Sequence, residues 1–277
     1  MAPARTLTLA GVTIPRFGLG TFELNDAPCA ATVAAALHLG VRHIDTAERY
    51  QNERFVGEGL RASGVPREDV FVTSKVWFDH LDPPLFLAAV EASLLRLGLH
   101  QLDLCLIHWP NPNVPLRDTL DALAKVKRRG VARAVGVSNF PPGLLREAVA
   151  RSPEPLAVNQ VEYHPYLDQS PLRAVLAEAG MGLTAYCPLA RGKVLRDPVI
   201  GAIAQRHGVS PAAVTLAWLL HQDNVLVVPK SRAPARIEDN LTALDVTLSA
   251  GEIAAISALA TPRGRIIDPS FAPDWAA

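Results

Sequence analysis

The run Ala34-Ala35-Ala36-Leu37-His38-Leu39-Gly40-Val41-Arg42-His43-Ile44-Asp45 passes from an apolar helical spacing, through a glycine, into a short β-type segment. Glycine supplies the left-handed conformation that stops a helix, so the run reads as helix end, αβ loop and strand. The same punctuation recurs with Gly98 before Leu102–Ile107, Gly130 before Ala132–Val137, and Gly180 before Gly182–Ala185. Its period of roughly 25 to 35 residues is that of a strand plus a crossover helix. Arg16–Gly20, Val70–Ser74, Leu156–Val161 and Val225–Val228 complete eight candidate strands, each followed by helical spacing. Eight alternating βα units predict the α/β class and a parallel sheet closed into a (β/α)8 TIM barrel.

The flanking segments fit that architecture. Leu104-Cys105-Leu106-Ile107 and Val225-Leu226-Val227-Val228 are continuously apolar, as strands covered on both faces should be. Residues Leu7 to Ile14 alternate around Gly11 and read as an N-terminal β-hairpin that plugs the barrel's N-terminal end. The gap between the seventh and eighth strands is long enough for more than one helix, which puts extra helices near the C-terminus. After Thr261 the Pro- and aromatic-rich tail has no period and is expected to be a functional loop over the mouth.

Composition narrows the partner. At 277 residues, 49% of them apolar, the chain suits one barrel domain spanning 1–277. Lys+Arg and Asp+Glu both total 27, so no net field steers the protein onto nucleic acid or an anionic membrane. The stretch Met1 to Pro15 is too short and too polar for a signal sequence or a membrane span, and a cytoplasmic protein is expected. Cys29, Cys105 and Cys187 are far apart and lack CxxC spacing, which suggests reduced thiols and neither a disulfide framework nor a metal site. A small-molecule partner and a monomer are expected.

Barrel enzymes carry catalytic groups where strands end at the C-terminal face. Asp45 closes His43-Ile44-Asp45 with Tyr50 five residues on, Lys75 closes Val72-Thr73-Ser74-Lys75, and His108 closes Leu106-Ile107-His108. Taken singly, Asp45 suits a cap, His108 a satisfied core histidine and Tyr50 a packing residue. Lys75 resists such a reading: the chain holds five lysines against 22 arginines, and an unpaired ammonium on a buried strand is costly. Asp45 is its natural partner. A phenol is a poor acid at neutral pH, and an ammonium beside it favours the phenolate, which makes Tyr50 a candidate general acid. His108 would hydrogen-bond a carbonyl oxygen, and with no evident nucleophile the hydride must come from a cofactor.

These residues resemble a known family. Gly40-Val41-Arg42-His43-Ile44-Asp45-Thr46-Ala47 with Tyr50, Asn52 and Glu53 is similar to the first signature of the aldo-keto reductases. Leu106-Ile107-His108-Trp109-Pro110 and Val137-Ser138-Asn139-Phe140 resemble two more, and the likeness runs from about Gly18 to the C-terminus. Trp109-Pro110-Asn111-Pro112, the run Ala185 to Lys193 and the ending Phe271-Ala272-Pro273-Asp274-Trp275 resemble the bacterial 2,5-diketo-D-gluconate and methylglyoxal reductases in particular.

The resemblance implies NADPH lying extended across the barrel mouth. Gly18-Leu19-Gly20 is only half of a GxGxxG, with Glu23 at the third position, so a Rossmann site is rejected. On the family's pattern Ser138, Asn139 and Gln160 would hold the carboxamide and Tyr186 would stack on the nicotinamide. Gly20, Thr21, Asp45, Cys187, Pro188 and Leu189 would line the rest of that path. Lys230, Ser231 and Arg232, with Arg236, Asp239 and Asn240, concentrate cations and a hydroxyl near a helix start and read as a 2′-phosphate clamp. A solvated basic turn is the bland alternative. Asp239 stands where many relatives have Glu, and Cys187 where Ser is common.

Phe22, Trp77, His108 and Trp109, joined by Phe271 and Trp275 from the tail, are the candidate substrate pocket. The resemblance implies NADPH-dependent reduction of aldehydes, 2-oxoaldehydes or keto sugar acids, and the sequence does not choose among these. Two rival readings fit less well: a metal-dependent barrel hydrolase, whose clustered histidine ligands are missing because His43 and His164 belong to different strands, and an NADPH-binding barrel kept as a non-catalytic regulatory or sensor subunit, against which the intact set Asp45, Tyr50, Lys75 and His108 argues.

Overall fold

Four helices end as the glycine spacing predicts. At Gly40, whose φ is +98°, the N–H donates to the Leu37 carbonyl at 3.1 Å, and the N–H of Val41 reaches the Ala36 carbonyl at 3.0 Å. That is a Schellman closure, which satisfies the last carbonyls of the helix and turns the chain into the next strand. The paired bonds recur at Gly98, Gly130 and Gly180. The computed structural model describes residues 3–25 and 27–276, with Ala27 described by its backbone alone. Met1 and Ala2, the start of the segment read as too polar for a signal, lie outside the described residues.

The chain opens with the expected hairpin, β1 (Thr6–Leu9) antiparallel to β2 (Val12–Pro15). Eight parallel strands follow in sequential order: β3 (Leu19–Gly20), β4 (His43–Asp45), β5 (Phe71–Val76), β6 (Leu102–Ile107), β7 (Ala132–Ser138), β8 (Leu156–Glu162), β9 (Gly182–Tyr186) and β10 (Val225–Val227). A parallel bridge between Phe17 and Val227 joins the last strand to the first. Gly18 N–H donates to the Val227 carbonyl and Val227 N–H to the Arg16 carbonyl, both at 2.8 Å, so the sheet closes into a barrel.

Helices α1 (Ala27–His38), α2 (Glu53–Ala62), α3 (Pro83–Leu97), α4 (Leu116–Arg128), α5 (Pro142–Arg151) and α6 (Ser170–Glu178) each occupy one crossover. The seventh crossover holds two helices, α7 (Pro198–His207) and α8 (Pro211–Leu220), as its length suggests. Then come α9 (Pro234–Leu241) and α10 (Ala250–Ser257), the latter started by a Ser249/Glu252 capping box. None of the helices among the described residues is long and apolar enough to cross a membrane.

Strand parity sorts the core. Leu104 and Leu106 of β6 point inward with Phe71, Ala134, Val158 and Leu226, while Cys105 and Ile107 point outward against the helices. Leu9, Val12 and Ile14 of the hairpin join the inner cluster and close the N-terminal end. Several strands outlast their apolar runs: β7, β8 and β9 continue to Ser138, Glu162 and Tyr186, and β5 runs through Lys75 to Val76. Polarity ends a sequence-based strand at its first hydrophilic residue, but ladder hydrogen bonds do not stop there. Ser138 still pairs with Gln160, and Glu162 with Tyr186. The first strand is shorter than Arg16–Gly20: Arg16 to Gly18 meet β10 through a single bridge, and the Arg16 side chain donates to the carbonyls of Leu220, Gln222 and Val225.

Close helix packing leads to one stability prediction. A β-carbon at Gly57 of α2 would lie 2.1 Å from the Leu97 carbonyl oxygen at the end of α3. Alanine improves helix propensity by about 1 kcal/mol, whereas forcing a packed backbone apart costs about 1–3 kcal/mol. Gly57→Ala should therefore lower Tm in thermal unfolding; an unchanged or raised Tm would mean that α2 and α3 separate freely.

Candidate active site

Inward parity carries three of the four strand-end groups to one place. His43 and Asp45 share a face of β4, and Phe71, Thr73 and Lys75 share a face of β5, with Asp45 in register with Thr73. Lys75, fully buried, donates from Nζ to Asp45 Oδ1 at 2.6 Å and to the Thr46 carbonyl at 2.8 Å, and reaches the Tyr50 hydroxyl at 3.5 Å. The second carboxylate oxygen of Asp45 accepts from Gln160 Nε2 at 2.7 Å. His108 follows β6, its ring 5.6 Å from that of Tyr50.

Tyr50 ends a single 3-10 turn, Glu48–Tyr50, and Gln51 follows with φ of +56°. Buried Asn52 locks this loop, accepting from Thr46 Oγ1 at 2.9 Å and donating to the carbonyls of Thr21 and Leu24 at 2.7 and 2.8 Å. The sequence pattern flagged Asn52 only as part of a signature. Its role is to tie the tyrosine loop to the turn after β3.

Burial holds the Tyr50 phenol well above the ordinary tyrosine range, and the Asp45 charge pushes the same way. Sequence reasoning expected the ammonium to pull this pKa down; here desolvation and Asp45 outweigh it, because Lys75 spends its short bonds on Asp45 and Thr46. Tyr50 is therefore stocked with its proton at neutral pH. Burial lowers the Lys75 pKa, against the charge and hydrogen bond of Asp45, which raise it. Burial, then the charges of Lys75 and Arg49, drive His108 well below the usual histidine range. A neutral imidazole keeps one N–H to offer. His108 Nδ1 is buried without a partner among the described residues.

Beside this cluster lie the residues expected to hold a nicotinamide. Ser138 Oγ donates to the Gln160 carbonyl at 2.7 Å, and Asn139 Nδ2 to the His108 carbonyl at 3.0 Å. The Tyr186 hydroxyl donates to Asn139 Oδ1 at 2.8 Å and leaves its ring half-exposed. Amide and hydroxyl groups next to an aromatic face match a carboxamide on a planar ring, so this donor set fits the cofactor. Cys187, with φ of +50°, leads into Pro188 and Leu189. Thr21 bonds the Asp45 carbonyl through both its N–H and Oγ1, and Gly20 N–H meets the Pro229 carbonyl at 3.0 Å, joining this region to the basic turn after β10.

In that turn Lys230 Nζ sits 3.5 Å from a Glu23 carboxylate oxygen, and Arg232 donates to the Glu23 carbonyl. Ser231 Oγ accepts from the Ala233 N–H at 3.2 Å, Asn240 is buried, and Arg236 is exposed on α9. Asp239 accepts from Ser210 Oγ, the N-cap of α8, at 2.6 Å. Its carboxylate thus already has a structural partner, which the sequence did not reveal.

The aromatic candidates form a connected wall. Phe22 packs on Tyr50 at 5.1 Å, Trp77 on His108 at 5.0 Å, and Phe271 on both Trp77 and Trp109 at 5.6 and 5.4 Å. Trp275 lies 6.0 Å from Trp109. Phe78, which sequence reasoning missed, stacks on Phe271 at 4.8 Å. Also missed was Glu162, fully buried at the end of β8, which accepts from the N–H groups of Ile266 and Ile267 at 2.7 and 2.9 Å and from His164 Nε2 at 2.9 Å. Arg265 lies 3.8 Å from the same carboxylate and stacks over Trp275 at 3.6 Å. Glu162 therefore latches the tail that carries Phe271 and Trp275. The available signal was its parity, two residues beyond Gln160 on the same face.

The chain is similar to known proteins over most of its length. A model of the Aldo/keto reductase family matches residues 16–261. An aldo-keto reductase of Mycolicibacterium smegmatis is 43% identical over 270 residues, covering 97% of this chain and 98% of that protein. A methylglyoxal reductase, DkgB, of Escherichia coli is 40% identical over 95% of this chain and all of its own. Among solved structures, one provisionally assigned as a 2,5-diketo-D-gluconic acid reductase B superposes with a TM-score of 0.97 at 42% identity, covering 100% of this chain and 98% of the other. A variant of Gox0644 in complex with NADPH gives 0.89 at 34% identity, with 97% of each chain covered. Fold and relatives together define a barrel oxidoreductase. The chain belongs to the aldo/keto reductase family.

The latch carries a prediction. Hydrogen bonds to a charged acceptor contribute about 1.5–3 kcal/mol, so Glu162→Ala should speed amide hydrogen exchange at Ile266 and Ile267 by about tenfold or more. Protection unchanged at both amides would assign the tail's order to aromatic packing alone.

Proposed function

We propose that the protein uses NADPH to reduce a small aldehyde or ketone to the alcohol, with Tyr50 as the general acid. The observation that carries this reading is the buried Lys75 ammonium, held by Asp45 and Thr46 against the Tyr50 hydroxyl. When bound, the cofactor supplies the hydride that the carbonyl carbon receives. His108, neutral and facing Tyr50, donates its N–H to the carbonyl oxygen and holds it at the phenol. Tyr50 passes its proton to that oxygen as negative charge develops there. The phenolate left behind lies beside Lys75, whose charge stabilises it, while Asp45 keeps the ammonium in place. Ser138, Asn139, Gln160 and Tyr186 would seat the nicotinamide, and Lys230, Ser231, Arg232 and Arg236 the 2′-phosphate. The relatives' names make 2-oxoaldehydes and keto sugar acids the carbonyl compounds to try first.

Following NADPH consumption with a panel of methylglyoxal, 2,5-diketo-D-gluconate, aromatic aldehydes and simple ketones tests the reaction. Tyr50→Phe keeps the ring and removes the acid, and kcat should fall by about 10²-fold or more with NADPH affinity retained. Full activity in the variant would refute the mechanism, and NADPH binding with no turnover of any carbonyl by the wild type would point to a sensor subunit instead. For the clamp, Arg236→Ala should weaken NADPH binding by about 1–3 kcal/mol with little change for NADH, measured by titration of protein fluorescence. Equal losses for both cofactors would sink the 2′-phosphate assignment.

A further inference from the structure

The turn Glu48–Tyr50 does more than deliver the acid. Its three side chains all engage the substrate wall: Glu48 accepts from the Trp77 N–H at 3.0 Å and pairs with His80 at 2.7 Å, Arg49 sits over the Trp77 ring at 5.4 Å, and Tyr50 is the acid itself. Trp77 in turn packs on His108 at 5.0 Å. A guanidinium is thus stacked on the wall of the pocket, one residue from Tyr50 and one ring from the carbonyl-binding histidine.

Among the described residues, three cations lie beside Tyr50 and the substrate wall; two of them sit in ion pairs, although Arg265 Nη1, 3.8 Å from Glu162, makes no hydrogen bond. Lys75 is held by Asp45 and Thr46, and Arg265 lies against Glu162 and Trp275. For Arg49 no carboxylate lies within ion-pair distance among the described residues; its neighbour Glu48 is spent on Trp77 and His80. Arg49 is exposed, with its guanidinium over the Trp77 ring. Its field reaches the centre, since it is one of the charges that keep His108 neutral. A guanidinium whose fork is not used by the protein, fixed on an indole beside a reducible carbonyl's position, suits a carboxylate.

We propose that Arg49 is a substrate-recognition residue, and that the preferred substrates are carbonyl compounds bearing a carboxylate, such as keto acids, over neutral aldehydes of the same size. The proposal rests on the carbonyl-reductase reading above and adds charge to the substrate class. Stacking on Trp77 limits the rotamers open to Arg49, so little ordering entropy is lost when the anion arrives. Because the pair forms at an exposed side chain, its contribution is modest and salt-dependent.

The test uses 4-carboxybenzaldehyde and its neutral methyl ester, which differ by the charge and one methyl group, with NADPH. In the wild type the acid-to-ester ratio of kcat/KM should exceed unity and shrink as salt is raised. In Arg49→Gln that ratio should fall by about tenfold, the change residing in KM for the acid, and Arg49→Lys should restore part of it. A ratio that Arg49→Gln leaves unchanged, while the ester is reduced normally by the wild type, overturns the anion site and leaves the reductase reading standing. If the wild type reduces neither probe nor any other carbonyl tried, the reductase reading itself falls and takes this one with it.

Discussion

Lys75 carries an ammonium inside a barrel from which water is excluded, and the arrangement of the mouth follows from having to hold it. An ion taken out of water costs several kcal/mol, and removing one partner of a buried pair costs about 3–5 kcal/mol. Asp45 Oδ1 at 2.6 Å and the Thr46 carbonyl at 2.8 Å meet that demand. Asp45 is in turn bound by Gln160, and Thr46 by Asn52, which fastens the loop ending in Tyr50 to the turn after β3. One costly charge thereby organises residues from β4, β5, β8 and two loops. Lys75 makes its short bonds to Asp45 and Thr46 and a longer one of 3.5 Å to Tyr50, whose phenol burial holds well above the ordinary tyrosine range.

The barrel makes this economy possible. A side-chain period of two sends His43, Asp45, Thr73, Lys75, Gln160 and Glu162 inward, while their neighbours Ile44, Val72, Val76 and Val161 pack against the helices. Apolar inward positions fill the lower part of the interior with help from the hairpin, and polar ones crowd the C-terminal end. The same strands supply a dry base and a polar mouth.

Above the mouth, an aromatic wall is assembled from segments distant in the chain. Trp77 and Phe78 follow β5, Trp109 follows β6, and Phe271 and Trp275 return from the tail. What brings the tail back is again a buried charge, Glu162, this time satisfied by two backbone N–H groups, His164 and Arg265. Two carboxylates inside the barrel thus serve different ends, one retaining a cation and the other retaining a loop. Arg49, which has no carboxylate within ion-pair distance among the described residues, lies over the Trp77 ring of the same wall.

Much of the architecture was legible from residues alone, because it rests on local rules. Gly40, Gly98, Gly130 and Gly180 each end a helix for want of a β-carbon, and apolar runs mark the eight strands, so the barrel and its hairpin could be read along the chain. Asp45, Lys75 and His108 are legible for the same reason, since in a parallel barrel the C-terminal strand ends face one mouth, while Tyr50 stands in the 3-10 turn after β4. Glu162 looked like any polar residue after a strand, Asp239 gave no sign of its bond to Ser210, and Phe78 was one aromatic among several. The direction of the Tyr50 shift is likewise not written along the chain, since it depends on how deeply the phenol is buried and on how near Asp45 lies. Pattern along the chain determines which elements form and which way their side chains face. Distances across the barrel, burial and the competition for each charge exist only once the strands close, and these decided what each functional residue does.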